Sequence, residues 1–128
     1  MFKINDDLSI SLTRGDTIAF NVQAKQGSDF YKFAEGDKVI FRVSEAKDVG
    51  SVVLEAFTVV DSVTSGKDFV QISVTSAETK ESFAVSNKPV DYWYEVALEN
   101  ALGVQTIIGY DDDGAKILRV FPEIESNK

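Results

Sequence analysis

The sequence predicts an all-β protein, an antiparallel β-sandwich of about eight or nine short strands with one short helix; a small barrel is the alternative arrangement. Apolar and polar residues alternate with a period of two in one segment after another, which is the pattern of half-buried strands. Turn residues separate these segments at regular spacing, and the chain has no room for the long helical crossovers of a parallel sheet. Its 128 residues are the size of one domain. We expect that domain at residues 1–123, followed by a polar tail at 124–128.

The N-terminal segments show the alternation most clearly. Leu8–Thr13 places its apolar residues, from Leu8 onward, on one face, which predicts a strand with that face in the core. Thr17–Ala24 repeats the pattern after a tight turn at residues 14–16. We expect these two neighbouring strands to pair as a hairpin.

An internal echo links two of the predicted strands. Gly15–Val22 and Gly36–Val43 share the pattern Gly-Asp, any residue, Ile or Val, any, Phe, any, Val. A single echo is too little for a repeat architecture, which needs several units. We infer that two strands, the second at Lys38–Glu45, begin from similar turns and pack similar faces against one core.

The rest of the chain adds five predicted strands and the only helical segment. Ser51–Asp61 is apolar on both faces, so the pattern leaves its inward face open. The helix is predicted at Thr75–Phe83, with Ser76 as its N-cap residue. The other strands are predicted at Asp68–Thr75, Asp91–Glu99, Val104–Tyr110 and Lys116–Phe121.

The composition excludes several kinds of catalysis. The chain has no cysteine and no histidine, so it lacks thiolate nucleophiles, the commonest general base at neutral pH and the commonest transition-metal ligand. We therefore predict that the protein is not an enzyme and uses no cofactor or metal. A hydrolase with a carboxylate pair is the remaining enzymatic hypothesis, and Glu95, next to Trp93 along its strand face, is its best single candidate.

The net charge argues against two classes of partner. It is −8, and a field of that sign repels the phosphates of nucleic acids and the surfaces of anionic membranes. No apolar run approaches the ~20 residues of a membrane span, and residues 1–7 do not have the pattern of a secretory signal. We expect no nucleic acid and no membrane as partners.

Two short motifs have a functional and a structural interpretation. Arg14-Gly15-Asp16 spells an integrin-binding tripeptide, but Gly-Asp is also common turn chemistry, which we favour. Residues 111–114 (Asp-Asp-Asp-Gly) offer carboxylates for calcium, yet the further ligands of an EF-hand loop are missing. We interpret this segment as a hairpin turn.

Aromatic residues supply the candidate contact residues. Tyr and Trp are favoured at interfaces because they combine a large apolar area with a polar group. On the Asp91–Glu99 strand, Tyr92 and Tyr94 share the periodicity of the core, which leaves Trp93 on the opposite face. The candidate interface residues are Trp93, Phe30, Tyr31 and Tyr110.

The order of several segments resembles a known family. The segments are Leu12–Phe20, Glu35–Val43, Tyr92–Val96, Gln105–Asp111 and Gly114–Glu123. In this order they resemble small phage and prophage proteins of Gram-positive bacteria, akin to the immunoglobulin-like N-terminal domain of phage upper baseplate proteins. The resemblance runs from about Leu8 to Glu123.

The resemblance implies an immunoglobulin-like sandwich with a structural role in a phage tail or baseplate. It transfers no catalytic residues. The expected partners are other virion proteins, with a homo-oligomer as a further expectation, and the expected location is the virion, assembled in the cytoplasm of the bacterial host. Upper baseplate proteins continue into a longer stalk, so a free-standing accessory virion protein is the closer match.

Three functional hypotheses follow from these observations. The first is a non-enzymatic virion structural protein that acts through protein–protein assembly. The second is a carbohydrate-binding module for a bacterial cell surface, with Trp93 and neighbouring tyrosines as a stacking platform. The third is the carboxylate hydrolase described above.

Overall fold

A computed structural model of the protein describes residues 2–46, 52–85, 87–108 and 114–124. Within these residues the chain forms eleven strands and one short helix. In chain order the elements are β1 Lys3–Ile4, β2 Ile10–Thr13, β3 Ile18–Val22, β4 Lys25–Gln26, β5 Asp29–Phe30, β6 Lys38–Ser44, β7 Val52–Val59, β8 Val70–Val74, α1 Ser76–Ser82, β9 Val90–Asn100, β10 Gly103–Ile108 and β11 Lys116–Phe121.

The strands form two layers of unequal width. The large sheet has seven strands in the order β1-β2-β11-β9-β6-β7, with β10 paired to the far half of β9. A two-stranded sheet, β3-β8, forms the second layer, and β4-β5 is a separate small hairpin. The predicted all-β sandwich is confirmed. The strand number exceeds the predicted eight or nine because β1, β4 and β5 are two-residue strands that the alternation does not reveal.

The large sheet is mixed, which corrects the fully antiparallel prediction. β2 lies parallel to β11, with Ile10 opposite Leu118 and Leu12 opposite Val120. The predicted hairpin between β2 and β3 is also wrong, because β3 pairs with β8 in the other layer. The turn at residues 14–16 therefore carries the chain from one sheet to the other.

Buried apolar residues of both layers form one core. Val39, Phe41 and Val43 of β6 contribute to it, and so do Tyr92 and Tyr94 of β9, as predicted. On β7, whose inward face the sequence left open, Leu54 and Ala56 point inward, opposite Val43 and Phe41 of β6. Leu54 is buried, whereas Phe57 and Val59 are exposed on the other side.

Leu8 does not belong to the core, although the alternation predicted that it would. The strand begins only at Ile10, and Leu8 sits in a turn with a φ of 71°. Its N–H donates to the carbonyl of Asn5 over 2.9 Å. The polar Asn5–Ser9 turn thus takes Leu8 out of the strand, and its side chain is 40% exposed.

The Gly-Asp echo corresponds to two copies of one turn. Gly15 and Gly36 both have a φ of 94°, a left-handed value that favours glycine. In each copy the following aspartate accepts a 2.9 Å hydrogen bond from the backbone N–H three residues before it, that of Thr13 for Asp16 and that of Ala34 for Asp37. The inference that the two strands begin from similar turns is confirmed.

The helix lies where it was predicted, but its cap is different. Thr75, not Ser76, is the N-cap residue, and its hydroxyl accepts the N–H of Glu78 while the Glu78 carboxylate accepts the N–H of Thr75. This reciprocal capping box satisfies two backbone donors that the first turn would leave unpaired. The cap sits one residue earlier than predicted because the Thr-x-x-Glu spacing selects it.

A tyrosine fixes the corner between the helix and β9. The hydroxyl of Tyr92 accepts a hydrogen bond from the N–H of Ala84 over 3.1 Å. Its ring packs on Phe83 with the centroids 4.9 Å apart. The contact is comparable with the tyrosine corner of immunoglobulin-like sandwiches, in which a tyrosine of one strand bonds to the backbone just upstream.

Candidate binding surfaces

Trp93 lies in the middle of a flat sheet surface. It is half-buried on the outer face of the large sheet, the face that points away from β3-β8. Its neighbours in register are Ile117 of β11 and Ser44 of β6. Trp93 therefore lies between two neighbouring strands of the sheet and lines none of the clefts described below.

Glu95 belongs to a row of charges on the same outer face. It stands opposite Arg42 in the strand register, and Arg42 in turn stands opposite Glu55. The Nε of Arg42 donates to the Glu55 carboxylate over 2.6 Å. Alternating charges across three strands are the usual way in which an exposed sheet face is solvated and stabilised.

An apolar patch occupies the edge of the large sheet. We call Ile40, Phe57 and Val59 the β7 patch. Phe57 is 56% exposed and Val59 is 52% exposed, whereas Ile40, directly opposite Phe57 in the register, is almost fully covered. The ammonium group of Lys38 lies 4.3 Å from the centre of the Phe57 ring, a cation–π distance.

Tyr31 is the centre of one end of the sandwich. We call this end, formed by residues 23–37, 60–69 and 100–103, the loop end. The Tyr31 hydroxyl donates to Asp37 over 2.7 Å, and this bond, together with burial, raises the pKa of the Tyr31 phenol. Asp37 is only 5% exposed and also accepts the N–H of Ala34.

The loops of this end are tied to each other by backbone hydrogen bonds. Phe33 donates to the carbonyl of Lys67 over 2.9 Å and accepts from the N–H of Gly66 over 2.7 Å. Tyr31 donates its N–H to the carbonyl of Ala24 over 2.7 Å. These backbone hydrogen bonds link the loops to one another and hold the Tyr31 ring in place.

Three concave surfaces open at the loop end, and Tyr31 lines all of them. The most enclosed, of about 340 Å³, lies between the β4-β5 and β9-β10 hairpins and is lined by Gln26, Asn100 and Gln105, among others. A wider, more open one of about 800 Å³ lies on the other side of Asn100 and Leu102.

The other candidate interface residues are placed differently. Phe30 lies in β5 and is 42% exposed, with the ammonium group of Lys25 5.4 Å from its ring centre. Leu102, which the sequence did not single out, is 87% exposed at the tip of the β9-β10 hairpin. Tyr110 lies outside the residues that the structure describes.

The Arg14-Gly15-Asp16 turn is held against the helix. The Nε of Arg14 donates to the carbonyl of Phe83 over 2.8 Å, and its guanidinium pairs with Glu123. The hydroxyl of the fully buried Thr79 donates to the carbonyl of Asp16 over 2.9 Å. These contacts engage the arginine within the protein, which favours the structural interpretation of the tripeptide.

The described part of the chain has neither a metal-binding cluster nor a helix that could span a membrane. There, no three His, Cys, Asp or Glu side chains stand close enough together to hold a metal ion. Asp111–Asp113, the candidate calcium segment, is outside those residues. Among the residues with assigned positions, no helix has the length and apolar character needed to cross a membrane.

Comparisons with known proteins add no identification. No family model matches the sequence, and no curated protein matches it. The function is therefore inferred from the surfaces described above and from the resemblance of the sequence segments.

Sequence reasoning named Tyr31 but missed the residues that fix it. Asp37 was interpreted only as a turn residue, although its position directly before a strong apolar strand places it at the rim of the core. Asn100 and Gln105 face Tyr31 from the β9-β10 hairpin, about 70 residues further along the chain. No local pattern signals that proximity, because it depends on the pairing of the whole sheet.

Proposed function

We propose that this protein is a non-enzymatic structural component of a phage or prophage virion, associated with the tail or baseplate, and that it acts by assembling with copies of itself and with other virion proteins. The proposal joins two independent supports. One is the resemblance of its ordered segments to phage baseplate domains. The other is the exposed apolar outer face of β7, the edge strand of its large sheet.

The observation that carries the proposal is the composition of β7. It is an eight-residue edge strand, Val-Val-Leu-Glu-Ala-Phe-Thr-Val, with one charged residue and no proline. Monomeric proteins usually protect such edges with lysine, proline or very short strands, because an open edge pairs with other chains. Within the described residues β7 pairs only with β6. An edge of this kind is explained if a partner covers it in the assembled state.

The charges around the β7 patch permit contact between identical chains. The net charge of −8 repels copies of the chain from one another in general. Locally, Lys38 lies over Phe57 and Arg42 pairs with Glu55, so positive side chains offset the acidic ones next to the patch. A two-fold contact here would bring identical, nearly balanced surfaces together, as closed symmetric oligomers require.

Five carboxyl groups are unsuited to act as a carboxylic general acid. Hydrogen bonds that they accept hold the pKa values of these carboxyl groups below the ordinary range: Asp7, Asp61, Glu78, Asp91 and Glu123. Such groups stay ionised at neutral pH, whereas a carboxylic general acid needs a raised pKa. The lack of His and Cys is a separate reason to favour assembly over hydrolysis.

Mass spectrometry of purified particles tests the virion assignment. Particles of the phage or induced prophage whose genome carries the gene should contain the protein in a fixed ratio to the other tail proteins, and they should keep it after density-gradient purification. If the gene is expressed in the lysate and the protein stays with the soluble fraction, the virion assignment is wrong.

A further inference from the structure

We propose that the 340 Å³ cleft beside Tyr31 binds a neutral saccharide. The described residues that line this cleft come from β4 and the segment before it, from Tyr31, and from the β9-β10 hairpin. The gap between the two hairpins is a concave space whose size lies in the range of small-ligand sites. This site is separate from the β7 patch and does not depend on the assembly proposed above.

The aromatic wall of the cleft is rigid before any ligand arrives. Tyr31 is fixed by the hydrogen bond to Asp37, by its backbone bond to Ala24 and by an edge contact with Phe33 at a centroid distance of 5.2 Å. A ring that is already immobilised loses little conformational freedom on binding. Its flat apolar surface suits the C–H face of a sugar ring, and the neighbouring Leu98 and Leu102 extend that apolar surface.

Side-chain amides supply the polar contacts. Gln26 and Gln105 line the cleft, and in the described structure their amide groups form no hydrogen bond with another residue. Each amide offers both donors and an acceptor, which matches hydroxyl groups, because a hydroxyl also donates and accepts. Asn100 is held in place by the N–H of Leu102, which donates to its Oδ1 over 2.9 Å.

The acidic residues beside the cleft disfavour an anionic ligand and leave a neutral one unaffected. Among the described residues that line the cleft, Lys25 is the one with a charge, and its ammonium group is directed to the Phe30 ring. Glu35, Asp37 and Glu99 line the adjoining open surface. A phosphate or carboxylate would meet this acidic rim, whereas an uncharged polyhydroxyl compound would not.

The shape favours an oligosaccharide over a single sugar. The cleft and the wider concave surface share Tyr31, Asn100 and Leu102, so a ligand could extend from one to the other across this rim. The position on the sandwich agrees by analogy. In immunoglobulin variable domains, loops at one end of the sandwich form the recognition surface; this is an analogy of position only.

Titration of the full-length ¹⁵N-labelled protein with maltotriose, triacetylchitotriose and rhamnose tests the site. Sugars would be added to about 20 mM, which detects millimolar dissociation constants. We expect saturable shifts of the backbone amides of Gln26, Tyr31 and residues 100–106 with at least one sugar. The Trp93 indole signal should stay in place.

A matched pair of variants tests whether the sugar binds in the cleft. Gln105→Ala removes one amide from the cleft and should weaken that sugar by roughly threefold to tenfold, the value of one hydrogen bond. Gln71→Ala, on an exposed position of β8, should bind like the wild type. The proposal is overturned if none of the three sugars gives saturable shifts, if the shifts map to other residues, or if Gln105→Ala binds unchanged. None of these results depends on the oligomeric state. The saccharide proposal can therefore fail while the assembly proposal holds, and the reverse is also true.

Discussion

The hydroxyl of Tyr31 donates a 2.7 Å hydrogen bond to the carboxylate of Asp37, a residue that is only 5% exposed. A buried carboxylate needs hydrogen bonds or an opposite charge to offset its loss of hydration. Here the donors are the Tyr31 hydroxyl and the N–H of Ala34. This pair fixes both the start of β6 and the wall of the saccharide cleft, so the stability of the loop end and the shape of the cleft depend on the same contact.

Tyr31→Phe should destabilise the protein by about 1.5–3 kcal/mol, the usual value of a hydrogen bond to a charged group. Urea unfolding followed by circular dichroism measures this change. A double-mutant cycle with Asp37→Asn separates the pair from its surroundings. If the two single changes add without coupling, the bond contributes nothing to stability and this account of the loop end is wrong.

Thr79→Val should cost about 1–3 kcal/mol, because it leaves partly buried backbone groups of Gly15 and Asp16 without this partner. The Thr79 hydroxyl donates to the carbonyl of Asp16 and accepts the N–H of Gly15, which holds the 14–16 turn on the helix. Thr17→Val, at an exposed position next to the same turn, is the control and should change the unfolding free energy little. Equal effects of both substitutions would show that the turn does not depend on this hydroxyl.

Alkaline pH should unfold the protein through Tyr94. Burial, and secondarily the charge of Asp7, raises the pKa of Tyr94 to about 12, from an ordinary value of about 10. The group is therefore harder to ionise in the folded state than in the unfolded chain. Its contribution to stability is complete below about pH 10 and is lost as the pH rises towards about 12.

The variant Tyr94→Phe separates this effect from general alkaline damage. At pH 7 it should lose about 1 kcal/mol, since the carbonyl of Leu8 loses the hydroxyl that donates to it. Above pH 10, its urea midpoint should fall less steeply than that of the wild type. Parallel curves for the two proteins would contradict the assignment to Tyr94.

Much of the fold follows from local patterns. The period of two identifies the inward residues of β3, β6, β8 and β9 because burial on one face is itself periodic. The Thr75-x-x-Glu78 spacing contains the correct helix cap, which the choice of Ser76 overlooked. These features are written in short stretches of sequence.

Pairing between strands that are distant in the sequence cannot be predicted from such local patterns. Nothing local to Ile10 indicates that it lies beside Leu118 and not beside β3. The pairing partner of β2 is determined by packing of the whole core and by the 14–16 turn, which Thr79 holds against the helix. Leu8 fails for a related reason: its apolar side chain continues the alternation, while the hydrogen bonds of the Asn5–Ser9 turn impose a left-handed backbone.

For the candidate sites too, the sequence predicts local features but not the arrangement of distant residues. Aromatic type alone drew attention to Phe30, Tyr31 and Trp93, but only the structure separates a flat sheet position, that of Trp93, from a wall of a cleft, that of Tyr31. The β7 patch was hidden because Ser51–Asp61 is apolar on both faces. Its exposed side became visible once Leu54 was placed in the core.

Sedimentation of the wild type and two lysine variants tests the central claim, assembly through β7, most directly. Phe57→Lys introduces a charge at the β7 patch, whereas Val63→Lys makes the same change at an exposed loop position and serves as the control. From about 5 to about 500 µM protein, mass action should convert the wild type into a reversible symmetric oligomer. Val63→Lys should behave alike, and Phe57→Lys should stay monomeric with an unchanged circular dichroism spectrum. A wild type that stays monomeric throughout, or a Phe57→Lys variant that associates as strongly as the wild type, would contradict the account.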